Sequence, residues 1–406
     1  MPKALVFYHY LYPDDVVSAV HVSELCEELV RRGWDVTAMP CNRSCRDKFP
    51  KHPARERWKG VEIRRIWRPA LSQASTLGRF ANAIWMVCRW STAALRHSPD
   101  FIIVGTDPVL SVTVARVWKL LRPHTRVAHW CFDLYPEAAV ADGILRPDGW
   151  FLATLKPVLR NAYGRCDLLA DIGSCMGARL RSYQPRGRQV TLTPWALSEP
   201  ARPLAIDQHE RMMIFGDAQL ALLYSGNFGR AHSSSLILQL ARRLAPHEVQ
   251  LTFSVRGNRA DALRQAAASV PNVRFVPFAA QGDLEARLSA ADIQVVSLDA
   301  DWTGTVVPSK FFGALAVGRP VLFAGSPESA VAKWILVHQV GWVLTESNLE
   351  SVANELLRCA QASGEMARLF EHCHAVYNKH FSKRWVADQW DAELRRMLPG
   401  SNPGRP

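Results

Sequence analysis

Short apolar runs alternate along the chain with segments of helical periodicity. Residues 4–8 form an apolar run that is typical of a buried parallel strand. Five apolar residues then follow at the spacing of one helix face: Val22, Leu25, Cys26, Leu29 and Val30. Gly33 stands where such a helix would end, and residues 35–39 form the next apolar run. The pattern predicts a βαβ unit, whose crossover is nearly always right-handed.

The same alternation continues through the first half of the chain. Further strands are predicted at residues 101–104, 127–132, 168–172 and 190–193, with helices at 75–95 and 149–163. This order indicates a parallel sheet covered by helices on both faces.

Residues 197–217 interrupt the periodicity with prolines and polar residues, which is typical of an interdomain linker. A second series then predicts strands at residues 221–224, 249–255, 273–276, 293–297, 320–323 and 342–344. Helices are predicted between them at residues 234–244, 259–268, 284–290 and 310–317, and a long one at 384–397. We therefore expect an α/β protein with two doubly wound domains, at residues 1–198 and 218–383.

Length and composition agree with two globular domains. The chain has 406 residues, which is too many for one hydrophobic core, and 48% of them are apolar and 21% charged. We expect disorder only in residues 399–406. The N-terminus lacks the pattern of a secretory leader, and no stretch reaches the length of a membrane span. These features predict a cytoplasmic protein.

The net charge of +12 favours anionic partners: nucleic acid, an anionic membrane face or phosphorylated small molecules. The basic residues are spread without an arginine-rich arm, so we expect no nucleic acid partner. Cys41 and Cys45 have the spacing of half a metal site, but no second Cys/His pair follows. The nine cysteines are therefore expected to be reduced thiols, and no metal is expected.

Two segments of the second half carry candidate phosphate-binding groups. Residues 224–230 follow a strand and precede a helix, where glycines permit close backbone approach and helix N–H groups attract phosphate. The candidates there are Gly226, Asn227, Gly229 and Arg230, with a simple tight turn as the alternative. Arg256 ends the next predicted strand, and its alternative is a solvated loop arginine.

Residues 304–321 form the most specific segment. Thr305 and Pro308 are predicted in a loop, Ser309 as the N-cap, and Lys310 in the first helical turn. The helix dipole disfavours a cation at that position, so Lys310 indicates an anion bound in front of it. The alternative is a lysine that extends to solvent.

The first half offers candidate catalytic and ligand-binding residues. Asp133 and Glu137 follow a strand, where carboxylates can accept protons or bind sugar hydroxyls, although helix capping is an alternative use. His21 and Trp195 are candidates for binding an acceptor substrate, and packing inside the protein is the alternative for both. Trp85 and Trp90, with nearby arginines, indicate either a helix at an anionic membrane surface or ordinary core packing.

These segments together resemble glycosyltransferase family 4. The resemblance rests on residues 21–36, 171–176, 193–195, 224–229, 290–293 and 307–321, in the order and spacing of the family motifs. The segment Asp-Leu-Tyr-Pro-Glu at 133–137 is similar to a branch found in bacterial polysaccharide and O-antigen assembly.

The resemblance implies a retaining GT-B glycosyltransferase, in which two Rossmann-like domains face a central cleft. The second domain would bind a nucleotide-sugar, with Arg230, Arg256 and Lys310 on its diphosphate, and a UDP-sugar is slightly favoured. A saccharide or lipid-linked acceptor would bind the first domain, onto which helix 384–398 packs back. No cofactor or metal is implied, because fixed cations can neutralise the leaving group.

The sequence departs from the family at several positions. Thr305 and Gly313 stand where the family often has two glutamates, and residues 15–18 replace its first glycine-rich loop. The family histidine of the first domain aligns near Cys131, so Asp133 is the expected substitute. A sugar-nucleotide epimerase and a catalytically inactive nucleotide-sugar-binding relative remain as alternatives.

Overall fold

The computed structural model describes residues 1–45, 51–73 and 75–398. The chain forms two compact units, Met1–Thr193 with the segment from Val386 onward, and Pro194–Trp385. The disorder predicted for residues 399–406 concerns a segment outside the described residues. Both units are built on a mainly parallel sheet, which confirms the predicted α/β class. The predicted arrangement of the two sheets around a cleft stays a prediction.

The first unit contains an eight-stranded sheet. Its strands are β1 (Lys3–Phe7), β2 (Asp35–Ala38), β3 (Arg55–Trp58), β4 (Val61–Arg64), β5 (Phe101–Gly105), β6 (Arg126–Cys131), β7 (Leu168–Asp171) and β8 (Arg188–Thr191). Its helices are α1 (Val17–Arg31), α2 (Thr76–Ala93), α3 (Val114–Leu121), α4 (Glu137–Ala141), α5 (Trp150–Tyr163) and α6 (Ser174–Arg181). The strand order is β3-β4-β2-β1-β5-β6-β7-β8, so the order reverses between β1 and β5.

Apolar strands and tryptophans form the core of the first unit. All five residues of β5 are buried, as expected of a central parallel strand. Phe7 stacks on Trp90 with ring centroids 5.4 Å apart, and Trp118 Nε1 donates a hydrogen bond to the Trp90 carbonyl at 2.9 Å. Trp90 is fully buried, so the core-packing interpretation is correct for this tryptophan, and the membrane interpretation of helix α2 stays a prediction.

The β3–β4 hairpin was absent from the sequence-based prediction. These two strands pair antiparallel at the edge of the sheet, and the turn residues Lys59 and Gly60 both have positive φ angles. Two-residue hairpins favour such turns. The prediction failed because the hairpin sequence is mostly charged, and only Val61 and Ile63 of β4 are buried.

The second unit contains a six-stranded parallel sheet. Its strands are β9 (Leu220–Asn227), β10 (Val249–Arg256), β11 (Val273–Phe275), β12 (Ile293–Ser297), β13 (Val321–Ala324) and β14 (Gly341–Leu344). Its helices are α7 (Gln208–Phe215), α8 (Ser235–Leu244), α9 (Ala260–Ala267), α10 (Leu284–Ser289), α11 (Lys310–Ala316), α12 (Ala330–His338), α13 (Leu349–Gln361) and α14 (Ser363–His380). The strand order is β11-β10-β9-β12-β13-β14, which reverses between β9 and β12.

Two predictions for the second unit need correction. The expected linker contains α7, which Asp207 caps by accepting a hydrogen bond from Glu210 N at 2.9 Å, and which buries Ile214 and Phe215. Strand β9 extends through Asn227, and the next helix begins only at Ser235. The glycine-rich segment is therefore a strand end and a loop, and it does not open the helix directly.

The final helix, α15 (Lys383–Arg396), contributes to the first unit from Val386 onward. Trp34 Nε1 donates to Asp391 at 2.6 Å, and Arg32 donates to Asp388 at 2.7 Å. Arg188 of β8 forms an ion pair with Glu393. These contacts attach the end of the chain to α1 and β8.

Candidate functional site

The carboxyl ends of β9 and β12 define a candidate site in the second unit. In open parallel sheets, ligands bind outside these strand ends at the point where the strand order reverses. Here β9 ends at Asn227 and β12 at Ser297. The loop after β12 leads to α11, so its first residue, Lys310, reaches the same edge of the sheet.

The ammonium of Lys310 lies directly against the end of β9. Its Nζ donates to the carbonyl oxygen of Asn227 at 2.9 Å, lies 3.4 Å from His232 Nε2, and sits 5.1 Å from the ring centroid of Tyr224. None of its recorded contacts within the described ranges is with a carboxylate. Burial lowers the pKa of Lys310 to about 8. The fold therefore holds a half-buried cation without a neutralising acid.

His232 supports Lys310 as a neutral group. Its Nδ1 lies 2.7 Å from the Ser297 carbonyl oxygen, and burial together with the charge of Lys310 lowers the His232 pKa to about 3. A neutral imidazole that faces a carbonyl must place its proton on Nδ1. Nε2 then carries a lone pair and accepts from the ammonium of Lys310. The histidine thereby fixes the position of the cation without cancelling its charge.

Gly226 is required by the position of Lys310. Its φ is +127°, and a Cβ there would lie 2.6 Å from Cε of Lys310. Gly257, just after β10, has φ of +129° and would place a Cβ 2.5 Å from the Phe228 carbonyl oxygen. Both positions thus need glycine, for conformation and for space. Gly226 thus leaves room for the side chain of Lys310, and the close approach of this backbone to a phosphate stays a prediction.

Arg256 and Arg230 stand on neighbouring backbone. Arg256 is the register partner of Asn227 in the β9–β10 pair, and its guanidinium stacks 4.3 Å from the ring centroid of Phe278. Arg230 is exposed, three residues beyond the end of β9. The strand ends therefore bring the segments of Arg230, Arg256 and Lys310 to one edge of the sheet.

The other donor-side candidates differ in exposure. Thr305 is fully buried, and its hydroxyl donates to the Trp302 carbonyl at 2.8 Å, which favours a role in shaping the loop. Pro308 is buried and Ser309 is exposed. Ser309 occupies the N-cap position of α11, as predicted, although its side chain makes no capping hydrogen bond.

In the first unit, His9 and Asp107 meet where the strand order reverses. His9 follows β1 and Asp107 follows β5, and the distance from His9 Nδ1 to Asp107 Oδ1 is 3.4 Å. Burial opposes protonation of His9, but the charge and hydrogen bond of Asp107, with a smaller effect of Cys41, outweigh it and raise the pKa to about 9. Sequence reasoning missed this pair, although each residue follows an apolar strand almost directly.

The two predicted catalytic carboxylates have different surroundings. Asp133 is exposed, and the protein atoms around it together with the charge of Asp107 raise its pKa to about 6. Glu137 lies in the first turn of α4 and accepts a hydrogen bond from the Tyr183 hydroxyl at 2.6 Å. Asp133 is thus the carboxylate presented to solvent, whereas Glu137 is held by a structural partner.

The two predicted acceptor-side residues are both buried. His21 lies inside α1, near the ring of Phe132, and it and Trp195 are each 1% exposed. Burial favours the packing interpretation for both residues. Neither presents its side chain at the surface, so the acceptor-side candidates with the stronger geometry are His9, Asp107 and Asp133.

Across the ranges that the structure describes, no group of three or more His, Cys, Asp or Glu side chains is arranged to hold a metal ion. Over the same ranges, no helix has both the length and the apolar character needed to cross a bilayer. The prediction that catalysis needs no metal or cofactor is untested by these observations.

Fold and site together define a two-unit GT-B protein with a cation at the strand-order reversal of its second sheet. A chain from Thermosynechococcus elongatus, a sucrose-phosphate synthase, superimposes with a TM-score of 0.72 over 98% of this chain and 99% of its own, at 17% identity. HepE of Anabaena, solved with UDP, gives a TM-score of 0.66 over 97% and 100%, at 12% identity. The predicted fold is confirmed.

Sequence comparison agrees with the family that the motifs suggested. Residues 18–196 match the model described as the glycosyl transferase 4-like domain. A probable glycosyltransferase of Pseudomonas aeruginosa, WbjE, is 23% identical over 251 residues. That match covers 60% of this chain and 62% of the relative, so the chain spans less than two thirds of the curated relative.

Proposed function

We propose that the protein transfers a sugar from a nucleotide-sugar to a saccharide or lipid-linked acceptor, in the assembly of a cell-surface polysaccharide. The observation that carries the proposal is Lys310, a half-buried cation at the end of β9 with a neutral histidine beside it. A cation with a lowered pKa and no acid partner in the described structure gains most from a bound anion. Similarity to WbjE, a probable glycosyltransferase, supports the transfer of a sugar.

The donor diphosphate would lie at the carboxyl end of β9. Lys310 would contact it directly, and Arg256 and Arg230 extend from the adjoining strand end and loop. Arginine can bind phosphate with two parallel hydrogen bonds. Gly226 and Asn227 would allow the diphosphate to approach the backbone. UDP is the favoured nucleotide, because HepE has been solved with UDP and with UDP-glucose.

Transfer would retain the configuration of the anomeric carbon. The acceptor oxygen bonds to that carbon as its bond to the diphosphate breaks, and a departing phosphate oxygen takes the hydroxyl proton. Negative charge then grows on the diphosphate, where Lys310 and the arginines stabilise it. Positioned cations are worth several kcal/mol in such sites, about 3 for one strong donor. They would replace a metal ion, and no cofactor is required.

The acceptor would bind the first unit near Asp133. Its carboxylate is exposed and can accept a hydrogen bond from the attacking hydroxyl, while the His9–Asp107 pair supplies a charged and fixed polar wall. Because protonation of Asp133 removes this acceptor, we expect the rate to fall as the pH drops through about 6. Glu137, held by Tyr183, would position α4 rather than react.

A lipid-linked acceptor would require the first unit to approach an anionic membrane. The outer face of α2 exposes Leu77, Phe80 and Ile84, which are 79%, 43% and 48% exposed. Arg79 and Arg89 are exposed on the same helix. An apolar face flanked by arginines suits the interface of an anionic bilayer. The membrane proposal therefore rests on this exposed surface and not on the buried Trp90. Binding through it would place the protein at the inner face of the plasma membrane.

Calorimetric titration with UDP and UDP-sugars tests the donor proposal. We expect Lys310→Ala to weaken UDP binding by roughly 30-fold, because a charge-assisted contact contributes about 2 kcal/mol. Lys333→Ala is the matched control, since Lys333 is an exposed lysine of the same unit that pairs with Glu328. Equal affinity in the two variants would refute the donor site. Binding without turnover on any saccharide acceptor would favour the inactive relative, and conversion of donor alone would favour the epimerase.

Vesicle flotation tests the membrane proposal separately. Leu77→Ser with Phe80→Ser should abolish flotation with vesicles that contain phosphatidylglycerol, because burial of these side chains drives insertion. Met212→Ser with Met213→Ser is the control, since both methionines are exposed on α7 of the second unit. If wild type fails to float, the membrane proposal is wrong while the donor proposal stands.

A further inference from the structure

A second concentration of positive charge lies at the amino ends of β6, β7 and β8 in the first unit. A cavity of about 740 Å³ opens there. The cations that line it are Lys119, Arg126, Arg165, Arg186, Arg188 and Arg396, and the lining includes one acid, Asp167. The candidate site of this unit lies at the opposite, carboxyl, edge of the same sheet, so the cavity is separate from it.

Four of the six cations have structural partners. Asp167 forms ion pairs with Lys119, at 2.6 Å, and with Arg126, at 3.1 Å. Glu393 of α15 pairs with Arg188 and, at 2.9 Å, with Arg396. Such ion pairs are ordinary at a sheet edge, and Lys119 also suits the last turn of α3, where the helix dipole favours cations. Stability of the fold explains these four residues.

Arg165 and Arg186 lack such an explanation. Both are exposed, and neither has a recorded carboxylate partner in the part of the chain that the structure describes. The backbone around Gly187 brings their segments together, because a Cβ on Gly187 would lie 2.2 Å from the Cys166 carbonyl oxygen. Arg165 directly precedes Cys166 in the chain, and Arg186 directly precedes Gly187. Both residues line the same cavity.

We infer that this cavity binds a ligand that carries two or more phosphate groups. The six cations outnumber the two carboxylates, Asp167 and Glu393, and a concave surface of one charge attracts oppositely charged ligands. The guanidinium group of arginine can donate two parallel hydrogen bonds to a pair of phosphate oxygens. The volume lies in the range of small-molecule sites. Four partnered cations form the walls, and Arg165 and Arg186 supply the free hydrogen-bond donors.

Calorimetric titration with tripolyphosphate tests the inference. The full chain is used with Lys310→Ala, which weakens the donor site, so that the two sites are not confused. We expect one binding site that Arg165→Gln with Arg186→Gln weakens at least roughly tenfold, and that weakens as salt is added. The control is Arg242→Gln with Arg368→Gln, which removes the same charge from exposed helix surfaces of the second unit.

Two results would overturn the inference: no binding by the parent protein, or equal weakening in the two double variants. Flotation with phosphatidylcholine vesicles that contain cardiolipin, a lipid with two phosphate groups, distinguishes the sources of phosphate. If Arg165→Gln with Arg186→Gln weakens flotation as well as tripolyphosphate binding, the ligand is a lipid headgroup. If it weakens tripolyphosphate binding alone, the ligand is a soluble phosphorylated molecule. Either result supports the cavity as a phosphate site.

Discussion

Each unit places a histidine near the point where its strand order reverses, but the histidine is charged in the first unit and neutral in the second. His9 follows β1 where the first sheet reverses, and Asp107 raises its pKa to about 9 against the effect of burial. His232 follows β9 where the second sheet reverses, and burial with Lys310 lowers its pKa to about 3. One edge therefore carries an ion pair and exposed carboxylates, and the other an unbalanced cation. The loops, and not the shared topology, set the chemistry of each edge.

The largest expected effect tests the acidic edge. Asp133→Asn should lower kcat on the order of 100-fold, because a neutral amide oxygen holds the attacking hydroxyl more weakly than a carboxylate does. Its thermal stability should not fall, since desolvation by the surrounding protein atoms, together with the charge of Asp107, disfavours the ionised form of Asp133. The measurements are kcat with the donor selected by titration, and the melting temperature of each variant. Asp148→Asn, an exposed acid of the same unit, is the control. Unchanged kcat in Asp133→Asn would remove Asp133 from the site.

A smaller effect tests the cationic edge through its backbone. Gly226→Ala should weaken UDP binding by roughly tenfold, about 1.4 kcal/mol, because the added methyl displaces Lys310. Titration of the folded variant measures this change. Gly282→Ala is the control, because its Cβ would meet no atom within 4 Å. If Gly226→Ala binds UDP like wild type, Lys310 does not need its present position to hold the nucleotide.

The sequence predicted the central strands of both sheets but not their edges. Buried parallel strands such as β5 are apolar at every position, so a single run reveals them. The β3–β4 hairpin and α7 are rich in polar residues, because only one face of each is covered. Their apolar positions are too few to form a recognisable period.

The cationic edge was predictable and the acidic edge only partly so. Lys310 stands in a recognisable loop-to-helix segment, so local reasoning found it. His9 and Asp107 are 98 residues apart, and they meet because β1 and β5 are neighbours in the sheet. Strand order is a property of the whole fold, and no local motif encodes it. His21 and Trp195 are both buried, as the packing alternative expected.

The smallest expected effect tests whether the charge of Asp107 alone accounts for the difference in pKa between His9 and His232. In Asp107→Asn the pKa of His9 should fall from about 9 to below its ordinary 6.5, because only the smaller effect of Cys41 then opposes burial. A histidine with a raised folded-state pKa stabilises the fold fully below pH 6.5 and loses this contribution as the pH rises through 9. Asp107 is 40% exposed, so solvent screening reduces the contribution at neutral pH to about 1 kcal/mol.

Two measurements check this effect. Urea unfolding should show Asp107→Asn less stable than wild type at neutral pH, with the difference vanishing above pH 9, where His9 is neutral in both proteins. Histidine NMR follows the two rings directly, and His232 serves as the internal control, because it lies in the other unit and should stay neutral in both proteins. A difference in stability that persists above pH 9 would mean that Asp107 acts through another contact. The raised pKa of His9 would then need a cause other than the charge of Asp107.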